Sequence, residues 1–159
     1  MLEQLKELLE MQRVLDEAIL KEHGNVYDEK IAAQMKIALF VELGELMNEL
    51  PTHFKHWKKT AVDNREKALV EYVDALHFHL SLFNYYKVNI NDVLDYDECI
   101  KNYIELSVDL TRCCAFCEYH LGIEYLFDIG NHLGFTWEEI YQAYKDKNAV
   151  NYERLKNGY

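Results

Sequence analysis

Turn-forming residues are scarce in this chain, which has one proline, Pro51, and six glycines in 159 residues. A fold of many short strands needs a turn roughly every ten residues, and most such turns draw on Gly or Pro. The shortage therefore predicts few, long helices. Half of the residues are apolar, enough for one domain with a sizeable core at this length and too few residues to expect two.

The apolar spacing agrees. Leucine or its equivalents stand at 2, 5, 8, 9, 15, 19 and 20, a helical stripe that ends near His23 and Gly24. A second helix is expected from the N-cap Asp28 to Leu50, just before Pro51, with Ala32, Met35, Leu39, Leu43, Leu46 and Leu50 on its core face. After a loop over 51–62, Asp63 with Glu66 three residues on reads as a capping box that opens a third helix, running to about residue 86. Residues 97–133 read as one or two further helices, and Thr136 with Glu139 as the capping box of a last one. The fold class is an all-α bundle of five to six helices in a single domain over 1–159.

A formal charge of −11 excludes a general nucleic-acid binder, which needs a basic surface. No 18-residue apolar window and no secretory leader pattern is present, so the expectation is a cytoplasmic protein without a membrane partner. Cys113, Cys114 and Cys117, with Cys99 further off, have the look of half a zinc site. No matching second pair of ligands exists, so they read as reduced, buried thiols.

The acids are less ordinary. Glu42 and Glu45 lie three apart on the second helix, on one side of an otherwise apolar run, and Glu49 extends that side by a turn. Glu71 and Asp74 repeat the spacing on the third. Helices joined by about a dozen residues commonly pack antiparallel, so the pairs can face each other. Four carboxylates gathered there repel, and burying them unpaired costs several kcal/mol each. Basic side chains or hard divalent cations, Mg²⁺ or Mn²⁺, would relieve that charge.

The loop HFKHWKK interleaves Lys55, Lys58 and Lys59 with Phe54 and Trp57, a pattern suited to phosphate and to a base, and equally to a solvated loop over the core. On the last helix Lys147, Asn151 and Arg154 share one face, with Asn148 beside them. That face fits a polyphosphate, or exposed surface.

Glu42-x-x-Glu45, then 25 intervening residues, then Glu71-x-x-Asp74 resembles the signature of the all-α nucleoside triphosphate pyrophosphohydrolases. Within them, ELGELMNEL, FKHWKK, EYVDALHF and KNAVNYERLKNGY are similar to the dimeric dUTPases, over most of Gln12 to Tyr159 and least between 88 and 133. The resemblance implies Mg²⁺-dependent hydrolysis of dUTP, and of dUDP, to dUMP by a homodimer. The metal would sit on Glu42, Glu45, Glu71 and Asp74, with Glu45 also positioning the attacking water and Glu49 supporting the ligands or adding one. Lys147, Asn151 and Arg154 would hold the distal phosphates, aided by Lys55 and Lys58.

By the same resemblance Gln12 would meet the uracil edge, Trp57 would pack against the base, Phe78 against the deoxyribose, and Asn148 would join the nucleoside site. His77 is expected to pack or support. Asp16 departs from the asparagine of many relatives. A regulatory protein partner would leave no signature in the sequence.

Three other readings compete. A related pyrophosphohydrolase acting on another nucleotide, such as dCTP, shares the acids. A carboxylate-bridged di-iron bundle wants two E-x-x-H motifs, of which Glu71, Asp74 and His77 offer a distorted half at most. A non-enzymatic helical interaction module predicts no turnover.

Overall fold

The computed structural model describes residues 1–93 and 119–158. Five α-helices account for most of them: α1 (Leu2–Glu22), α2 (Glu29–Glu49), α3 (Arg65–Tyr86), α4 (Tyr119–His132) and α5 (Trp137–Lys156). Two single 3₁₀ turns, Pro51–His53 and Ile90–Val93, follow α2 and α3. The described residues contain no strand, as the shortage of turn material requires. No described helix is long and apolar enough to cross a membrane.

The third helix is the centre of the bundle. Tyr72, Val73, Ala75, Leu76, Leu80, Leu82 and Phe83 are all buried, so α3 is covered on nearly every side. Helix α2 lies antiparallel to it: Asn64 N donates to Glu49 O at one end, while Tyr27 stacks on Tyr85 at the other, ring centroids 5.0 Å apart. Leu39, Leu43 and Leu46 of α2 and Leu5, Leu8 and Leu15 of α1 fill the core between them, from the stripes that the spacing predicts. Helix α4 also runs antiparallel to α3, placing Gly122 against His79 and Gly130 against Tyr72. A Cβ on Gly122 would stand 2.6 Å from the His79 ring, so only glycine allows that approach.

Helix α1 runs alongside α5 in the same direction. Trp137 Nε1 donates to Gln4, and further along Tyr141 OH donates to Glu7.

Two of the predicted starts are found and one is corrected. Asp28 caps α2 by accepting from Ile31 N at 2.9 Å, and Thr136 with Glu139 forms the reciprocal capping box of α5. The third helix is capped by Asn64, whose Oδ1 accepts from Lys67 N at 3.1 Å, and not by Asp63. Asp63 instead turns back to accept from Thr52 N and Thr52 Oγ1, tying the loop ends together. Asn and Asp cap equally well, so the loop contact decides between neighbours. Helix α4 falls within the expected 97–133, whereas Cys99, Cys113, Cys114 and Cys117 lie outside the described residues.

Candidate active site

Helical spacing alone puts Glu42 and Glu45 on one side of α2, and the antiparallel neighbour brings Glu71 to meet them. One carboxylate oxygen from each of the three lies within 4.8 Å of the others. Glu42 and Glu71 are half-buried and Glu45 is exposed. Burial raises the Glu42 carboxyl to about 7, with Asp74, Glu45 and Glu71 adding repulsion. Burial, then Asp74 and Glu45, raises Glu71 as well. Such crowding is unfavourable without a cation, and three all-oxygen donors are what a hard divalent ion takes.

Asp74 is placed differently from the other three acids. It is half-buried beside them and ion-paired with Lys147 of α5. Burial raises its pKa, opposed by the hydrogen bond and charge of Lys147 and by Arg154. Lys147 thus supplies part of the positive charge that the acidic spacing demands.

A cavity of about 320 Å³ opens beside these groups, a size at the low end for small-molecule sites. Glu42 and Asp74 form part of its wall, and Lys147, Asn151 and Arg154 of α5 form another. Gln12, Asp16, His77 and Phe78 line it too, among Leu15, Ile19 and Met35. Anionic, cationic and apolar walls meet in one hollow built by α1, α2, α3 and α5.

Beneath the cavity runs a buried polar network. Gln12 Nε2 donates to Asp16 Oδ1 at 2.7 Å, and Ser81 Oγ donates to Asp16 Oδ2 at 2.6 Å. Tyr144 OH donates to Gln12 Oε1 at 2.6 Å, and His77 Nδ1 meets the same oxygen at 2.7 Å. The His77 ring also stacks on Tyr144, centroids 3.9 Å apart. Burial drives the His77 pKa down to about 3, so the ring is neutral. Asp16 is pushed up to about 6 by burial, against the two hydrogen bonds it accepts.

Other residues singled out from the sequence fall outside the cavity wall. Trp57 is 67% exposed and meets His56 edge-on, and Lys55 lies over the Phe54 ring. Lys58 is exposed on the same loop. Asn148, next to Lys147, is buried with its Nδ2 unpartnered and does not line the cavity. Glu49 is half-buried one turn beyond Glu45 and adds repulsion to Glu71. Tyr144 and Ser81 were not legible as site residues. Tyr144 sits one turn before Lys147 on α5, and Ser81 one turn after His77 on α3, so helical spacing from those residues would have reached both.

No curated protein matches the chain. A family model described as dUTPase matches residues 4–159, nearly the whole length. The all-helical architecture, the facing acidic pairs and that match agree: the chain belongs to the all-α dUTPase family and is a dUTP diphosphatase.

Proposed function

We propose that the chain hydrolyses dUTP, and dUDP, to dUMP at this cavity in a reaction that depends on Mg²⁺, with Mn²⁺ as a substitute. The observation that carries this reading is one hollow with clustered carboxylates on one side and Lys147, Asn151 and Arg154 on another. The donor set fits the ion: Glu42, Glu45 and Glu71 offer only oxygens, crowded within 4.8 Å, and the upward shifts of Glu42 and Glu71 mark charge that a cation would relieve. When bound, the ion supplies charge neutralisation for phosphate oxygens and acidifies water.

The remaining work falls to side chains. Glu45, the exposed member of the trio, would orient the attacking water and take its proton, and with Glu42, Glu71 and Asp74 it would hold the ion. Lys147 balances Asp74 in the ligand-free state and turns to the distal phosphates when substrate charge arrives, joined by Asn151 and Arg154. Phe78 packs against the deoxyribose and leaves no room for a 2′-hydroxyl, and Gln12 meets the base. His77 fixes Gln12 through its Nδ1. Glu49 supports the acidic trio.

Trp57, Lys55, Lys58 and Asn148 are assigned to the nucleotide only in the substrate-bound state, because none lines the cavity here. A homodimer accords with the apolar residues Ile37, Phe40 and Val41, which stand exposed on one side of α2.

Phosphate and pyrophosphate release from dUTP, dUDP, dTTP, dCTP and UTP, with and without Mg²⁺, tests the reading on wild type and Glu45→Gln. Preference for the deoxyuridine nucleotides, dependent on the ion and lost in the variant, supports it. Faster turnover of dCTP would keep the metal site and overturn the base assignment.

A further inference from the structure

Of the four acids expected to hold the ion, three crowd together and one is paired. Glu42, Glu45 and Glu71 bring their oxygens within 4.8 Å of one another, whereas Asp74 Oδ2 accepts from Lys147 Nζ, with the two side chains only 14% and 19% exposed. A carboxylate engaged by an ammonium already has its charge met, so a cation approaching Asp74 must first displace the lysine. In a part-buried place that displacement is costly, because it strands both members of the pair.

The lysine therefore leaves readily only for another anion. Lys147 shares one face of α5 with Asn151 and Arg154, and the three stand together in the cavity wall. A polyphosphate held by Asn151 and Arg154 presents such an anion along that face, and the flexible four-carbon stem of lysine suits a change of partner.

We propose that the Lys147–Asp74 ion pair is an internal lock, which withholds Asp74 from the divalent ion until a polyphosphate takes the lysine away. The lock rests on the reading of this cavity as a metal-dependent nucleotide site. In the free protein the ion meets Glu42, Glu45 and Glu71, and Asp74 joins them only with substrate present. Ion and polyphosphate each draw one member of the same pair from its partner, so each strengthens the binding of the other. A complete set of acids, and the water it activates, is thereby confined to the time when there is a phosphate to attack.

Mn²⁺ binding to wild type, Lys147→Met, Asp74→Asn and the double variant tests the lock, read by calorimetry and by the paramagnetic resonance of free Mn²⁺, with circular dichroism to establish that each protein is folded. Should Lys147→Met not fold, Lys147→Gln, which can still donate to Asp74 without the charge, takes its place. Lys147 is also felt through space by Glu42 and Glu71, so its loss favours any cation there, and the double variant isolates the part that passes through Asp74. Lys147→Met is expected to tighten Mn²⁺ by about tenfold where Asp74 is present, and by less than about threefold in the Asp74→Asn background. With the non-hydrolysable α,β-imido-dUTP bound, Asp74→Asn is expected to cost at least about tenfold more Mn²⁺ affinity than it does without nucleotide. Two Lys147→Met effects that agree to within about threefold, or an Asp74→Asn cost that nucleotide leaves unchanged, would overturn the lock while the metal site stands. If wild type binds no Mn²⁺ with or without nucleotide, the metal reading falls and the lock with it.

Discussion

Asp16→Asn should make the protein more stable at neutral pH and change it little in acid. Asp16 is pushed from 3.8 to about 6 by burial. A carboxyl with a raised folded-state pKa binds more protons folded than unfolded between those values, so its contribution to stability is intact below about 3.8 and lost as pH rises through about 6. Two pK units are worth about 3 kcal/mol, and roughly 2.5 kcal/mol of that develops between pH 4 and pH 7.5. An amide does not titrate, can still accept from Gln12 through its carbonyl, and can donate to Ser81 Oγ.

Urea unfolding of both proteins at the two pH values measures the effect. The difference between variant and wild type cancels the other raised acids, Glu42, Glu71, Asp74 and Asp128. The stability advantage of the variant should grow by about 2–3 kcal/mol from the acid to the neutral buffer. An advantage constant to within about 0.5 kcal/mol would refute the desolvation argument, because the carboxyl would then titrate alike in both states. Dilute protein is needed near the sequence pI of about 5.0, where low net charge favours association.

Mg²⁺ should raise the thermal midpoint of wild type, and Glu42→Gln should abolish that rise while raising the midpoint of the metal-free protein through relief of repulsion at the trio; differential scanning fluorimetry reports both. Because Glu42 sits near 7 without an ion, apparent Mg²⁺ affinity should fall as pH drops below about 7, and a titration that stays flat to pH 5.5 would contradict it. Gly130→Ala should cost about 1–3 kcal/mol, since the new Cβ would stand 2.8 Å from the Tyr72 hydroxyl, which donates to Leu126 O and sits in a closed core. Asn64→Ala should cost about 1 kcal/mol as the loss of a helix cap, measured by the same urea assay.

Much of the architecture could be read from the chain itself. The leucine spacing of α1 and α2, the Asp28 cap and the Thr136–Glu139 box are local properties, set within a few residues by helical period and backbone donors left unpaired at helix starts. The acidic pairs were visible for the same reason: three-residue spacing puts Glu42 with Glu45, and Glu71 with Asp74, on common sides.

Packing between distant segments decided the rest. Nothing local distinguishes Asp74 from Glu71, yet α5 brings Lys147 to Asp74 and leaves Glu42, Glu45 and Glu71 as the crowded trio. Asn64 caps α3 because Asp63 is occupied with Thr52 across the loop. Gln12 looked like a free amide in the sequence. Its carbonyl is taken by residues 65 and 132 positions away, and a buried carboxylate four residues on fixes which way it points. A sequence lists which groups can donate and accept, but each buried group has only as many bonds as its donors and lone pairs allow, and which neighbours take them depends on how the helices pack.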